Sequence, residues 1–234
     1  MYKRQDLDHP DLNVVTSSTY ARSFVGGSAN DCNGHGTHVA GTAAAINNSI
    51  GVVGVSAGAS VVPVRVFGCS GSTSTSTILA GINHVGTYDI PGDVVNLSLG
   101  GYYGSGCSTG SAYRSGLLGL SNSGTYVAIA AGNSSGNAAL YDPACINGTN
   151  IYTVASMTCG GSFSSFSNYN MNPVDVIATG SSVYSTYLNG GYATLSGTSM
   201  AAPHVAGIMH ARGSGPRTSG SVSSRGESYP IAVR

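Results

Sequence analysis

The chain has 234 residues, 41% of them hydrophobic and only 8% charged, with 35 Gly, 5 Cys, no Trp and a formal net charge of +0. Its charged fraction is far below the roughly 25% usual in soluble domains, and the only Lys is Lys3 and the only Glu is Glu227. That excludes P-loop, Schiff-base and pyridoxal chemistry and the His-Glu-x-x-His zinc proteases, and it leaves no basic surface for nucleic acid and no long apolar run for a membrane span.

From residue 34 onward, helical and strand patterns alternate. Gly34 to Ile46 reads as a helix, Val61 to Phe67 as a strand, Thr77 to Val85 as a helix and Val94 to Leu99 as a strand. Ala112 to Leu120 follows as a helix, then Tyr126 to Ala131 and Ile151 to Ala155 as strands. This alternation predicts an α/β fold, a mostly parallel central sheet with helices on both faces. Later the pattern changes: Val174 to Ala178 is a strand, Val183 to Tyr187 and Tyr192 to Leu195 form a hairpin, and Ser199 to Ala211 is a helix opening on small residues. Residues 213–234, rich in Gly, Ser and Arg, read as a tail that either adds an edge strand or stays mobile. The expected organisation is one domain over 6–212 with that tail, preceded by Met1 to Gln5 as a foreign prefix.

Short motifs carry little weight at this Gly and Ser content, and Gly-x-Ser-x-Gly occurs three times, from Gly54, Gly106 and Gly132. None has the strand before and helix after that a nucleophile elbow needs. Three longer strings fall at turns or helix starts: Asp31-Cys32-Asn33-Gly34-His35-Gly36-Thr37-His38, Ala130-Ala131-Gly132-Asn133 and Gly197-Thr198-Ser199-Met200-Ala201-Ala202-Pro203-His204. In an open α/β sheet, ligands bind at such positions, beyond the carboxyl ends of the strands. Together the strings offer an imidazole, a side-chain amide and a hydroxyl. A Ser hydroxyl needs an adjacent base to become a nucleophile, and the oxyanion it generates needs fixed donors such as an Asn amide or a helix N-terminus.

These strings resemble the motifs of the subtilisin-like serine proteases, from about Asp6 to about Gly207, and Asp31 to His35 points to the proteinase K and aqualysin branch. The resemblance implies His35 as general base, Ser199 as nucleophile, and Asn133 as oxyanion donor together with the Ser199 backbone N–H. Asn96 to Gly101 resembles the family's substrate strand, where a peptide adds by backbone pairing. Ser98, Leu99 and Gly100 would form one wall of the first specificity pocket, and Ala130, Ala131 and Gly132 the other. Neither wall carries an acid, which predicts apolar or aromatic preference over Lys or Arg. The implied partner is a polypeptide, cleaved without any required cofactor by a secreted, monomeric enzyme. His38, one turn from His35, finds no third metal ligand nearby and reads as a buried structural residue. Structural calcium is possible at Asp175, with carbonyls near Thr149 and Ile151.

By the same resemblance Cys32 pairs with Cys69. Cys145 and Cys159 flank a predicted strand and could close a short loop, leaving Cys107 free. The family's Asp-Thr-Gly or Asp-Ser-Gly is absent: Tyr2-Lys3-Arg4-Gln5 stands where it is expected. Asp31 reads as a residue fixing the loop into the first helix, rather than a substitute. The expectation is therefore a truncated endopeptidase, lacking its first strand and impaired as given. The alternatives are a non-catalytic peptide-binding relative and an esterase using the same triad.

Overall fold

The computed structural model describes residues 6–104, 107 and 111–234. The expected prefix lies outside them. In chain order the elements are β1 (Arg22–Ser23), α1 (His35–Ala44), β2 (Val64–Arg65), α2 (Thr75–Tyr88), β3 (Val94–Leu97), β4 (Gly101–Tyr102) and α3 (Ala112–Asn122). There follow β5 (Tyr126–Ala130), β6 (Tyr141–Asp142), β7 (Ile151–Met157), β8 (Val174–Thr179), β9 (Val183–Thr186), β10 (Tyr192–Leu195), α4 (Thr198–Arg212), β11 (Arg217–Ser224) and β12 (Glu227–Val233).

The main sheet has six strands in the order β11-β12-β8-β7-β5-β3. Its β3, β5, β7 and β8 run parallel. The period-2 alternation of these strands assigns their faces. Val95, Leu97, Val127 and Ile129 pack on one side with Ile78, Ile82 and Val85 of α2 and Leu117 and Leu120 of α3. On the other side Ala128, Ala130, Val154 and Val176 meet Ala201, Ala202, Val205 and Met209 of α4. Large side chains thus cover the α2/α3 face, whereas small ones let α4 come close to the sheet. No helix among the described residues is long and apolar enough to cross a membrane.

Element type follows the sequence pattern, and the differences have local causes. The expected strand from Val61 to Phe67 forms ladder structure only at Val64–Arg65, parallel to β1, with an isolated bridge from Val61 to Val14. Pro63 has no N–H to give and interrupts it. Helix α2 begins two residues earlier than its apolar pattern, because Ser74 caps it by accepting the Thr77 N–H at 3.2 Å. The tail is a hairpin, turned at Arg225 and Gly226, both at positive φ. Its inner strand β12 pairs with β8 in parallel, and Tyr229 and Val222 are buried. Of the two readings of the tail, the edge-strand one describes it.

Two disulfides are present. Cys32 and Cys69 pair as expected, at a Cα separation of 5.3 Å. The suggested Cys145–Cys159 pairing is incorrect: Cys145 bonds to Cys107, and Cys159 is the exposed free thiol. Flanking a strand is what rules that pair out. The extended strand β7 sets its two flanks roughly 20 Å apart, and a disulfide needs Cα atoms within about 7 Å. Titration of thiols in denaturant without reductant is therefore expected to find one, and after full reduction five. A count of three without reduction would remove one of the two bridges.

Candidate active site

The three strings converge because each ends a strand or starts a helix at the carboxyl edge of the sheet. A cavity of about 570 Å³ is lined there by His35, Asn133, Ser199, Ser98, Leu99, Gly100, Ala130, Ala131 and Gly132, the nine catalytic and wall residues singled out above. Thr198, Tyr102, Tyr141, Ala144, Val66 and Phe67 also line it.

His35 is the first residue of α1. The turn before it is fixed by Asp31, whose Oδ1 accepts the N–H groups of Asn33 and Gly34 at 2.8 and 3.0 Å. Its Oδ2 accepts the Thr37 N–H and hydroxyl at 3.0 and 2.7 Å. Four hydrogen bonds spend this carboxylate on the helix start, where negative charge is favoured. Gly34, at φ +89, needs its missing side chain, since a Cβ would lie 2.3 Å from the Tyr187 ring.

Ser199 is the second residue of α4. Pro203, four residues on, has no N–H to offer the Ser199 carbonyl. The Ser98 hydroxyl donates to that carbonyl instead, at 2.8 Å, and the Ser199 hydroxyl reaches the Ser98 carbonyl at 3.5 Å. Pro203 thus frees the acceptor that ties the helix start to the strand end at Ser98.

Asn133 is oriented by Thr198. Its Oδ1 accepts both the Thr198 N–H at 2.8 Å and the Thr198 hydroxyl at 2.9 Å, which leaves the two Nδ2 hydrogens as donors. The Thr198 hydroxyl in turn accepts the Gly132 N–H at 3.0 Å. Below this turn lies buried Asn168, whose Oδ1 accepts the N–H groups of Ser134 and Gly136 and whose Nδ2 donates to the Ala131 carbonyl. Gly132, at φ +107, lies so close that a Cβ would fall 2.3 Å from Asn168 Nδ2. Sequence reasoning missed Asn168 and the positioning work of Thr198. It also missed the Tyr102–Tyr141 edge contact, with centroids 5.4 Å apart, on the cavity wall. For Asn168 the only signal was an amide inside a Ser-rich run.

The other histidines are structural. Buried His38 donates through Nε2 to the carbonyls of Val183 and Ala193, and His204 donates through Nδ1 to the Met200 carbonyl. Burial pushes both below the ordinary imidazole value, which favours the neutral form. Asp175 accepts the Thr153 N–H at 2.7 Å, yet burial outweighs that bond and raises its pKa to about 6. The wall residues include no Asp or Glu among the described residues.

The family model described as the subtilase family matches residues 5–211. Alkaline serine exoprotease A of Vibrio alginolyticus is 47% identical over 180 residues, 77% of this chain and 31% of that protein. M-protease of Shouchella clausii is 42% identical over 86% of this chain and 49% of its own length, and Subtilisin Savinase of Lederbergia lenta is 42% identical over 85% and 69%. The chain thus spans less than half the length of the first two relatives. A solved structure of a cold adapted subtilisin-like serine proteinase superposes with a TM-score of 0.76 at 40% identity, covering 88% of this chain and 72% of that one.

Two outcomes test this geometry. Thr198→Val strands the Gly132 donor and one bond of Asn133, and is expected to cost about 1–3 kcal/mol in urea unfolding. Asp175 is protonated more readily in the folded than in the unfolded state, so its contribution to stability falls as pH rises from 3.8 to about 6. Asp175→Asn should remove that fall, seen as a flatter stability profile across this window.

Proposed function

From a chain that belongs to the subtilase family, with the same fold, we infer a serine endopeptidase that cleaves peptide bonds through an acyl-enzyme. The single observation that carries this reading is the convergence of His35, Ser199 and Asn133 on one cavity.

In this reading His35 takes the proton of the Ser199 hydroxyl as its oxygen attacks the scissile carbonyl. The oxyanion so formed accepts hydrogen bonds from Asn133 Nδ2 and from the Ser199 N–H at the positive end of α4. Collapse of this intermediate breaks the C–N bond, and His35 passes the proton to the leaving amine. Water then enters by the same base, and hydrolysis of the ester frees Ser199. Thr198, by holding Asn133 Oδ1, keeps the amide's hydrogens rather than its oxygen for the oxyanion. The substrate strand would lie along Ser98 to Gly100, its side chain entering between that segment and Ala131–Gly132. Apolar walls, with Tyr141 and Ala144 beside them, favour apolar or aromatic residues there.

The carboxylate that orients His35 in this mechanism is proposed to come from an Asp upstream of Asp6. None of the 234 residues stands in an Asp-Thr-Gly or Asp-Ser-Gly string, and Asp31 is committed to the start of α1. That favours impaired activity in the chain as given, and it is also the observation behind a second reading, a peptide binder that does not cleave. Retention of nucleophile, base and oxyanion donor speaks for the enzyme. An esterase on the same residues is separated from it by peptide against ester turnover. Relatives named extracellular proteases support secretion, and a monomer is proposed. Structural calcium is proposed at Asp175, a half-buried carboxylate with no ion-pair partner among the described residues, the remaining ligands being carbonyls.

The deciding experiment compares casein hydrolysis by this chain and by a version extended upstream to include the Asp. The extension is expected to raise kcat by orders of magnitude, about 10⁴ being the loss when the carboxylate of a convergent serine-protease triad is replaced by its amide. In the extended form Asn133→Leu should lower kcat by about 10²–10³ with little change in KM, a magnitude taken from subtilisin itself. Equal activity with and without the extension would overturn the upstream carboxylate. Peptide binding without any turnover in the extended form would leave the binder.

A further inference from the structure

Next to the cavity-lining Tyr141 and Ala144, and outside the lining itself, lies a cluster that peptide hydrolysis does not use. Cys107 Sγ, Cys145 Sγ and a carboxylate oxygen of Asp142 all lie within 4.8 Å of one another, and the two sulfurs are bonded to each other. Asp142 is only 8% exposed. Its Oδ2 accepts the Ser111 hydroxyl at 2.7 Å, which fixes the carboxyl group, and its Oδ1 faces Cys107 Sγ at 4.0 Å. A buried carboxylate with one oxygen held toward two sulfurs is a ligand set suited to a thiophilic cation, for which three protein ligands and an open position are a familiar arrangement.

We propose that reduction of the Cys107–Cys145 disulfide opens a binding site for a divalent cation such as Zn²⁺ or Cd²⁺, held by the two sulfurs and Asp142 Oδ1. A phosphine reductant supplies two electrons to the S–S bond and leaves as its oxide, its oxygen coming from water. The two sulfurs each gain a proton as thiols. Both protons are released when the thiolates bind the cation, and water or the Ser111 hydroxyl takes the fourth position. Two thiolates and one carboxylate give the site a net charge of −1 with the metal bound.

The placement gives the exchange a consequence. Asp142 pairs with Gly101 across β4 and β6, and Gly101 and Tyr141 line the cavity. Oxidised, the disulfide ties the chain after β4 to the segment after β6. Reduced, the cation would replace that tie beside the substrate. This proposal does not depend on the peptidase reading, since its readout is metal binding.

The test titrates Cd²⁺ into the chain reduced with a phosphine under argon, following thiolate-to-cadmium absorption in the ultraviolet and bound metal by native mass spectrometry. The reduced chain is expected to bind one more Cd²⁺ than the Cys107→Ser/Cys145→Ser variant, which retains Cys32, Cys69 and Cys159 as a background. Asp142→Asn should weaken that site by roughly tenfold or more, and the oxidised chain should lack it. Equal stoichiometry in the chain and the double variant, or unchanged affinity in Asp142→Asn, overturns the proposal. Circular dichroism with and without Cd²⁺ covers unfolding: a reduced chain that is unfolded and that Cd²⁺ does not refold also overturns it.

Discussion

Everything at the mouth of this molecule depends on how closely α4 approaches the sheet. Ala128 and Ala130 on β5 meet Ala201 and Ala202 on the first turns of α4, all of them buried. Small side chains on both surfaces allow backbone proximity that Leu or Ile would forbid, since protein interiors have no spare volume to absorb extra methylenes. The result is a helix whose N-terminus ends at the carboxyl edge of β3 and β5. Ser199 can then exchange hydrogen bonds with Ser98 at the end of one strand while Thr198 reaches Asn133 just past the other.

Once the helix start is in place, polarity there is managed by short side chains. The Gly132 N–H bonds to the Thr198 hydroxyl, that hydroxyl to Asn133, and Asn168 gathers three backbone groups of the following turn. Thr198 and Asn168 are buried away from water, and the two hydrogen bonds from Thr198 to Asn133 Oδ1 fix the orientation of that amide. Among the described residues two buried acceptors fall outside this economy: His38 Nδ1 and Asn96 Oδ1 have no hydrogen-bond partner. His38 donates from Nε2 to two carbonyls, so its Nδ1 carries the lone pair. Each such orphan costs about 1–3 kcal/mol, which packing around α1 and β3 must offset.

The sheet and its helices were legible because short apolar runs such as Tyr126–Ala130 alternate with helical patterns such as Thr77 to Val85. The site was legible for another reason, namely that strings such as Gly197 to His204 contain rare residues in fixed order. What stayed hidden is what long-range contact alone decides. Cys107 and Cys145 are 38 residues apart, and only the β4–β6 pairing brings them close. Ser98, at the end of a buried strand, gave no hint that Pro203 would free a carbonyl for it. The tail hairpin was masked by Ser and Arg composition, although Arg225-Gly226 supplies the positive φ values its turn needs.

Neutrality of the buried imidazoles also bears on the chemistry. His38 lies one turn after His35 on α1, and His204 lies five residues after Ser199 on α4. In the proposed mechanism a charge on either would disfavour the positive charge that His35 acquires on taking the Ser199 proton. Burial opposes this by lowering both pKa values, and each imidazole's N–H is fixed on backbone carbonyls. The same packing that positions the two helices therefore disfavours positive charge at both imidazoles. On the proposed mechanism, replacing His38 or His204 by a permanent cation would slow proton transfer to His35 even if both helices kept their places, seen as a lower kcat with an unchanged circular-dichroism spectrum.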